Sequence, residues 1–581
     1  MTHSLAGTLR LHRRTLLAGA TALLAQPSIR SRSSQRVAAQ DARAAAVVSS
    51  HRLATDAGIE VLQAGGTAAD AAIAVAAALS IVEPFFSSAL GGGLWALYFD
   101  AESGDVTSLD GVGPVGALAT IDDYRQRVDR AGMHQAIVPG AWDGWMLWLE
   151  RYGRLDLPSV LAPAIRLGSE GFPVSTEMAY YLSRDADVVL NYPASAATYL
   201  RNGAFPAAGS IIDLVDLANT FRALGDAYQG ADGDRTDKVQ AARDYFYRGP
   251  IAEELVAFSN LDGGYFTHDD FADFSAEILE PISVPFRDTS VFQSPPNSQG
   301  IAMLLAAHIL NGFDLAADGP VAANTIHRQV EAIKLAFADR YAVVGDPAAV
   351  DVPVLELLSE EHAESQRARI DMDSAMAWPI ASDAASRGAS HTTTFHVVDT
   401  DGNAAAVTTS LGLQFLVVGR SGIHINERSL YFSLEDGNPN VLAAGKKVRH
   451  TSCPYMALRN GRPILLGGNT GVDTQPQAQL QQLINVVDFG FGAQGAVNQP
   501  RFVSTAFPPS TYPHQVENTL QLEFGFPEAT IAELRRRGHN VVVGQGVFGS
   551  GNVIKLGDEG AAIDVGAEIR TNDATGVIIT S

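Results

Sequence analysis

The 581-residue chain is longer than a single hydrophobic core normally organises, so two core-sharing halves or two domains are expected, and its hydrophobic content of 46% is ample for folding. The formal net charge of -23 argues against nucleic acid and against an anionic membrane surface as partners. A single cysteine, Cys453, excludes an internal disulfide framework and a cysteine-based zinc site. No metal-binding or phosphate-loop motif is present, so we expect neither a metal nor an organic cofactor.

Residues 1–40 have the composition of a targeting segment. They contain no Asp or Glu, and Arg13 and Arg14 precede a short apolar run that ends near Ala25. This run is too short to span a bilayer, so no stable membrane insertion is expected. The pattern predicts a twin-arginine export signal and a periplasmic or secreted protein, with a disordered or transit-like N-terminus as the alternative.

Apolar periodicity predicts a mixed α and β protein. Ala68–Val82 is Ala-rich and predicts a buried helix, and Ile326–Tyr341 and Pro476–Phe489 predict two more, the last with Pro at its favoured first position. The polar segment 231–241 is expected to be a surface insertion, and 382–390 an exposed linker.

Residues 392–410 predict a β-hairpin. Phe395, Val397 and Val398 form an apolar strand, residues 399–403 carry an Asp-Gly turn signal, and 404–410 return as a second strand. Three consecutive threonines open the first strand at Thr392. Such a run is usually β-branched strand filler. It is also compatible with a chain that cleaves itself after His391, because an N-terminal Thr can use its own α-amine as the base that activates its hydroxyl.

The hairpin resembles the start of the small subunit in the γ-glutamyltransferase (glutathione hydrolase) family of N-terminal-nucleophile hydrolases, which opens with Thr-Thr-His-aromatic-Ser-Val-Val-Asp. The resemblance covers roughly residues 46–580. Further motifs that follow in family order are Ser49–Ala54, Leu62–Ala72, Val82–Pro84, Gly91–Gly93, Val138–Ala141, Pro295–Gly300, Ala336–Arg340, Gly345–Pro347, Ser421–Ile423, Pro454, Gly468–Gly471 and Asn498–Phe502.

The resemblance implies an α/β (α+β) fold, the four-layer αββα sandwich built from the large and small subunits of one precursor. Residues 41–391 would form the large subunit and 392–581 the small catalytic subunit, which remain together as a heterodimer. The cleavage site would be the bond between His391 and Thr392. Thr392 would then act as the nucleophile and, through its α-amine, as the general base.

The resemblance also implies the remaining catalytic groups. Ser410 occupies the place of a second catalytic threonine whose hydroxyl bonds the nucleophile. Gly471 and Val472 fall where the family has a Gly-Gly pair whose backbone N–H groups form the oxyanion hole. Val472 is a departure, because a β-branched residue resists a positive φ. The alternative is that Gly468–Gly471 is only a loop.

At the positions where the family binds a glutamyl group, this chain has different residues. The family binds the α-carboxylate with an Arg and the α-amine with an Asp, and the corresponding residues here are Asp110 and Tyr431, while its Asn after the second catalytic Thr becomes Gly412. Other altered positions on the substrate side are Arg428, His450 and Thr451. Arg428, Arg449 or His450 could form a relocated anion site, although each one alone is expected to be an ordinary surface cation.

Three functions are compatible with these residues. The first is a self-processing γ-glutamyltransferase or glutathione hydrolase, which passes the acyl group of a small-molecule amide from Thr392 to water or an amine. The second is an amidase or acylase of the same family with a non-glutamyl acyl group. The third is an inactive exported binding protein, which the intact Thr392 and Ser410 make the least favoured.

Overall fold

Two antiparallel β-sheets form the centre of the protein. The computed structural model describes residues 44–377, 392–412, 415–544, 548–557, 562–571 and 573–580. The predicted export signal, the linker at 382–390 and His391 lie outside the described residues. The described residues belong to one compact unit, and none of their helices is both long and apolar enough to cross a membrane.

The first sheet has seven strands, and each neighbouring pair is antiparallel. Its two central strands are the predicted hairpin, which inserts between strands from the N-terminal part of the chain. In order across the sheet the strands are Thr575–Thr580, Ala44–Ser49, Thr392–Val398, Ala404–Ser410, Gly93–Phe99, Val106–Gly111 and Glu277–Leu279.

The second sheet has six strands and is also antiparallel. In order its strands are Ile563–Gly566, Gly551–Leu556, Arg462–Asn469, Tyr455–Arg459, Thr289–Gln293 and Ile282–Phe286. Short strands elsewhere are Phe172–Pro173 with Ile211–Ile212, Val417–Val418 with Ile423–His424, and Phe502–Ser504 with Leu520–Leu522 and Val541–Val543.

Helices cover the outer face of each sheet. Those before residue 273 are Arg52–Gln63, Ala68–Val82, Ile121–Arg125, Ala141–Tyr152, Leu157–Glu170, Thr176–Arg184, Ala186–Asn191, Pro193–Tyr199, Val215–Gly230, Arg235–Tyr247, Pro250–Leu261 and His268–Ala272. Those after it are Gly300–Leu310, Ala323–Val343, Val354–Leu357, Glu360–Arg367, Thr474–Val487, Ala493–Asn498 and Glu528–Arg536. Single 3₁₀ turns are Met133–Gln135 and Arg428–Tyr431.

Three apolar cores define the four layers. One core joins the first sheet to the helices around Ala68–Val82, and a second joins the other sheet to Gly300–Leu310, Ala323–Val343 and Thr474–Val487. A third core, which includes Leu97 and Leu466, lies between the two sheets. Because both faces of the central strands are covered, most of their side chains are apolar or small, and His396 is a buried polar exception. The expected αββα sandwich is confirmed.

The Ala68–Val82 helix is confirmed residue for residue, and every residue in it is buried. Its small side chains let it pack closely on the sheet, and Thr67 and Asp70 form a capping box at its start. The helix predicted at Ile326–Tyr341 is longer, Ala323–Val343.

Two local predictions were right only in part: a helix is present near Pro476, and residues 231–241 lie largely at the surface, but the details differ. The helix at Thr474–Val487 starts before Pro476, because the first three positions of a helix need no backbone donor and so tolerate proline there. Most of the expected surface insertion at 231–241 is the start of the Arg235–Tyr247 helix. Asp234 and Asp237 form its capping box, and Val239 is fully buried.

Candidate active site

The hairpin places Thr392 and Ser410 opposite each other. They are register partners on adjacent antiparallel strands, so their side chains lie on the same face of the sheet. Both are fully buried, and Thr392 Oγ1 and Ser410 Oγ share a hydrogen bond of 3.0 Å. The two hydroxyls that the resemblance assigned to catalysis are therefore in direct contact.

Two further side chains reach this pair of hydroxyls. Arg428 Nη1 donates to Ser410 Oγ at 2.6 Å, and Gln475 Nε2 donates to Thr392 Oγ1 at 3.3 Å. Gln475 lies in the first turn of the Thr474–Val487 helix, whose N-terminus carries a partial positive charge. The surroundings of Thr392 Oγ1 are thus rich in hydrogen-bond donors and favour negative charge on oxygen.

Strand alternation separates the three threonines. Thr394 shares the face of Thr392, and its Oγ1 lies where a side chain at Gly468 would overlap with it, so glycine is required at position 468. Thr393 points to the helical side, where its Oγ1 lies 2.7 Å from Ser50 Oγ. Ser50 Oγ in turn donates to Glu83 Oε2 at 2.6 Å.

Glu83 is a buried acid that is linked through Ser50 to Thr393, the residue that follows Thr392. Burial raises its pKa to about 8, repulsion from Glu177 adds to this, and the hydrogen bonds from Ser50 and Thr393 oppose it. The folded protein therefore keeps a proton on Glu83 between about pH 4.5 and pH 8, where the unfolded chain has lost it. Folding stability falls as pH rises through this window.

Glu83→Gln should remove this pH dependence. Relative to the variant, the parent chain should lose about 4 kcal/mol of unfolding free energy between pH 5 and pH 8, at about 1.4 kcal/mol for each pH unit. Urea denaturation at both pH values, on chains that also carry Thr392→Ala, measures the difference. Glu60→Gln, at a surface ion pair with Arg166, is the control and should not change the slope. A parallel pH dependence for parent and Glu83→Gln would contradict the assignment.

The loop after strand Arg462–Asn469 contains two consecutive residues with positive φ. Gly471 has φ of 101° and Val472 has φ of 53°, so Val472 adopts the left-handed conformation despite its β-branch. Among the described residues, the backbone N–H groups of Gly471 and Val472 have no hydrogen-bond partner. These two donors precede the helix that carries Gln475.

Gln299 and Arg340 hold this loop in place. Gln299 Nε2 donates to the carbonyl oxygens of Val472 and Thr451 at 2.8 and 2.9 Å. Arg340 Nη1 donates to Gln299 Oε1 at 2.6 Å and pairs with Asp473. Burial alone would raise the pKa of the Asp473 carboxyl, but the charge of Arg340 and the hydrogen bonds from Ser510 and Arg340 lower it. These contacts offset the strain of Val472 by fixing both sides of the loop.

Asp110 forms an ion pair with Lys447 and is not suited to bind a substrate carboxylate. Lys447 Nζ donates to Asp110 Oδ2 at 2.7 Å, and burial raises the pKa of Asp110 while Lys447 opposes the rise. Asp110 lines an open cavity of about 1040 Å³ together with many other acids. The other carboxylate residues of this cavity are Asp269, Asp270, Asp273, Glu277, Glu280 and Asp346. These acids make the cavity around Asp110 unfavourable for binding the carboxylate of an acyl group.

The other predicted substrate residues come closer to the nucleophile. The guanidinium of Arg428 lies 4.6 Å from the centre of the Tyr431 ring, and both side chains are buried. Burial and the charge of Arg428 lower the pKa of His450 well below its usual value. Thr451 is buried next to it, and its carbonyl is the one held by Gln299.

The expectation that Arg428, Arg449 and His450 are surface cations was wrong, because all three are buried. Arg449 lies away from the nucleophile: its Nη1 donates to the Arg340 carbonyl at 3.4 Å, and burial with repulsion from Arg340 lowers its pKa to about 9. Arg428 alone among the three contacts Ser410.

Gly412 has a steric reason for its departure from the family. Its φ is 146°, and any side chain there would overlap with the side-chain carbons of Glu427. Glu427 therefore fills the space that a side chain at position 412 would need.

The sequence did not single out Gln475, Gln299, Arg340 or Glu83 as functional residues. Gln299, Arg340 and Glu83 lie inside motifs that matched the family, which was the available signal. No sequence signal pointed to Gln475, because a glutamine near the start of a helix is most often exposed to solvent.

One cluster of potential metal ligands exists among the described residues, away from Thr392. His327, Glu331 and His539 are buried with their ligand atoms within 4.8 Å of one another. His327 Nδ1 and His539 Nε2 are 2.8 Å apart, as in a hydrogen bond, and Lys334 Nζ donates to Glu331 Oε1 at 2.8 Å. An internal ammonium thus already neutralises the carboxylate of this cluster.

Comparison with known proteins finds the family that the sequence motifs resemble, over nearly the whole length of the described chain. The sequence model of gamma-glutamyltranspeptidase matches residues 54–578. A glutathione hydrolase-like proenzyme of Bacillus subtilis, YwrD, is 34% identical over 91% of this chain and 97% of its own length. An oxamate amidohydrolase proenzyme of Klebsiella pneumoniae is 31% identical over 85% of this chain and 91% of its own.

The fold is shared with solved structures of the same kind. The crystal structure of cephalosporin acylase from Bacillus halodurans superposes with a TM-score of 0.81 at 31% identity, and covers 92% of this chain and 96% of its own. These matches cover most of the chain. The two packed sheets and the hairpin that begins at Thr392 are consistent with them. The chain therefore belongs to the gamma-glutamyltranspeptidase family of autoprocessing N-terminal-nucleophile amidohydrolases.

Proposed function

We propose that the chain is an amidohydrolase that cleaves itself before Thr392 and then uses Thr392 to cleave an amide whose acyl group is not γ-glutamyl. The observation that carries this proposal is the contact between Thr392 Oγ1 and Ser410 Oγ, with Arg428 and Gln475 donating to the two oxygens. The products of self-cleavage, 41–391 and 392–581, would stay together, because strands from both are hydrogen-bonded neighbours in the first sheet.

Self-cleavage begins with attack of Thr392 Oγ1 on the carbonyl carbon of His391. The peptide C–N bond breaks, its nitrogen takes the hydroxyl proton, and an ester joins His391 to Thr392. Water hydrolyses the ester, which leaves a carboxylate on His391 and a free α-amine and hydroxyl on Thr392.

Substrate cleavage repeats this chemistry. The α-amine of Thr392 accepts the proton of Oγ1 as this oxygen attacks the amide carbonyl, and the protonated amine passes the proton to the leaving nitrogen. In our proposal the N–H groups of Gly471 and Val472 stabilise the oxyanion, and Ser410 positions Oγ1. Water or an amine then takes the acyl group from Thr392.

The names of the relatives indicate substrates with different acyl groups. Their names include a glutathione hydrolase-like protein, an oxamate amidohydrolase and a cephalosporin acylase. Here the position of the carboxylate-binding Arg is Asp110, which Lys447 already neutralises. A carboxylate at that place would meet acids rather than a guanidinium, so ordinary γ-glutamyl binding is disfavoured.

A γ-glutamyl hydrolase remains the second candidate, since the 34% identical relative is named glutathione hydrolase-like. A substrate panel separates the two. Purified, self-cleaved protein is incubated with glutathione, γ-glutamyl-p-nitroanilide, oxamate and glutaryl and phenylacetyl amides, and released amine or ammonia is measured. We expect kcat/KM for a non-glutamyl amide to exceed that for glutathione by at least about tenfold. The reverse order would support the glutathione hydrolase, and no turnover of any amide would support a binding protein.

We also propose export, on the Arg13-Arg14 pair and the acid-free first forty residues. The expected location is the periplasm or the medium, as a folded protein without disulfides.

A further inference from the structure

Arg428 is a buried cation without a counter-ion next to the nucleophile. Its side chain is fully buried, and among the described residues no carboxylate forms an ion pair with it. Its Nε and Nη2 atoms have no hydrogen-bond partner there either. A buried charge left unpaired costs several kcal/mol, so folding alone does not explain this arginine. Its two unused donors fit a planar carboxylate.

His450 offers a third unused donor. Its Nδ1 accepts a hydrogen bond from the Ser452 N–H at 3.2 Å, so the ring proton belongs on Nε2. Nε2 is buried and has no partner among the residues that the structure describes. A β-carbon at Gly93 would lie 3.5 Å from Nε2, and Gly93 is the strand partner of Ser410. Because Gly93 has no side chain, no β-carbon packs against Nε2 at this position beside Ser410.

The distances limit the acyl group. Arg428 Nη1 is 2.6 Å from Ser410 Oγ, which is 3.0 Å from Thr392 Oγ1, so Nη1 lies no farther from Thr392 Oγ1 than the sum of these two distances, and the unused Nε and Nη2 belong to the same planar group. A γ-glutamyl group separates its carboxylate from the scissile carbonyl by three carbon atoms, which is a poor match to so short a span. Trp95, Tyr431 and Val472 belong to one apolar cluster that packs around this region.

We propose that Arg428 and His450 bind a carboxylate on the acyl group, and that the substrates are monoamides of short dicarboxylic acids, with at most two carbons between the carboxylate and the scissile carbonyl. This inference rests on the proposed function of Thr392. It assigns carboxylate binding to residues 428 and 450 in place of the position that Asp110 occupies.

The test compares matched amides with and without the carboxylate. For self-cleaved protein, kcat/KM is measured for oxamate, malonamate, succinamate and glutaramate, and for propionamide and butyramide as neutral counterparts. We expect at least about 100-fold preference for the best short acid over its neutral counterpart, and a decline at glutaramate. Arg428→Gln should reduce this preference about 100-fold, mainly through KM, because a hydrogen-bonded charge pair contributes about 1.5–3 kcal/mol.

Arg449→Gln is the matched control, because it removes another buried arginine that does not contact Ser410, and it should leave the preference unchanged. A general structural defect would lower turnover of acids and neutral amides alike. No preference for acids, or the same preference in Arg428→Gln, would overturn the proposal. If self-cleaved protein hydrolyses none of these amides but does hydrolyse another amide of the earlier panel, this proposal is overturned while the proposed function of Thr392 stands. If it hydrolyses no amide of either set, the proposed function fails, and calorimetry with malonate decides the site: binding that Arg428→Gln abolishes supports it, and absent or unchanged binding overturns it.

Discussion

Thr392→Ala should yield an uncut chain without amidase activity. The substitution removes the hydroxyl that attacks the His391 carbonyl, so no new N-terminus forms and no α-amine becomes available as base. Intact mass and N-terminal sequencing should show one chain for the variant. The unaltered protein should show a second fragment that begins Thr-Thr-Thr-Phe-His. Loss of hydrolysis should reach about 10⁴-fold or more, as expected when a nucleophile is deleted.

Thr392→Ser is the control for this experiment. It keeps a hydroxyl at the same place, so self-cleavage should continue at a lower rate, and the fragment should then begin with Ser. Thr393→Ala is a second control, because Thr393 Oγ1 contacts Ser50 on the opposite face of the sheet and cannot reach the substrate side. Cleavage that persisted in Thr392→Ala, or a persistently uncut parent chain, would refute the assignment of Thr392.

The hairpin could be predicted from the sequence because its signals are local. The Asp-Gly turn at 401–402 fixes where the chain reverses, and the two seven-residue strands then place Ser410 opposite Thr392. The Ala68–Val82 helix was equally accessible, since its small side chains and its Thr67 cap lie in one continuous stretch. In both cases the determining contacts are between residues close in sequence or within a single motif.

The burial of Arg428 and His450 could not be predicted in this way. Charged side chains are exposed in most positions, so a local pattern favours the surface. Here the His450 N–H donates to the Asn297 carbonyl at 2.8 Å, and the Gln299 N–H donates to the His450 carbonyl at 2.9 Å. These contacts join segments about 150 residues apart in the chain and carry His450 into the interior. Only the folded structure reveals the unpaired donors that result.

The same holds for the helical side of the nucleophile strand. Glu83 was visible only as part of a Glu-Pro motif, and its link to Thr393 through Ser50 depends on three separate segments. A pKa near 8 follows from burial, which no local pattern reports. Such long-range polar contacts explain why the pairing of the Thr392 and Ser410 hydroxyls was predictable here while the groups that surround them were not.

Ser410→Ala should reduce kcat/KM by about 10²-fold while leaving the fold intact. The Ser410 hydroxyl connects the guanidinium of Arg428 to Thr392 Oγ1, and a hydrogen bond that involves a charged group is worth about 1.5–3 kcal/mol. Ser410→Thr should stay within about threefold of the parent, because it keeps the hydroxyl at the same register position. Kinetics on self-cleaved protein, with thermal unfolding measured beside it, give both quantities.

Whether Ser410→Ala changes kcat or KM distinguishes two possible roles of this residue. If Ser410 orients the nucleophile, the Ala variant should lose kcat with a smaller change in KM, and self-cleavage should slow by a similar factor because the same oxygen attacks in both reactions. Removal of the hydroxyl also leaves Arg428 Nη1 without this acceptor, so a destabilisation of about 1–3 kcal/mol is expected. If Ser410→Ala instead raised KM alone and cleaved itself at the parental rate, Ser410 would serve substrate binding through Arg428 and not the nucleophile.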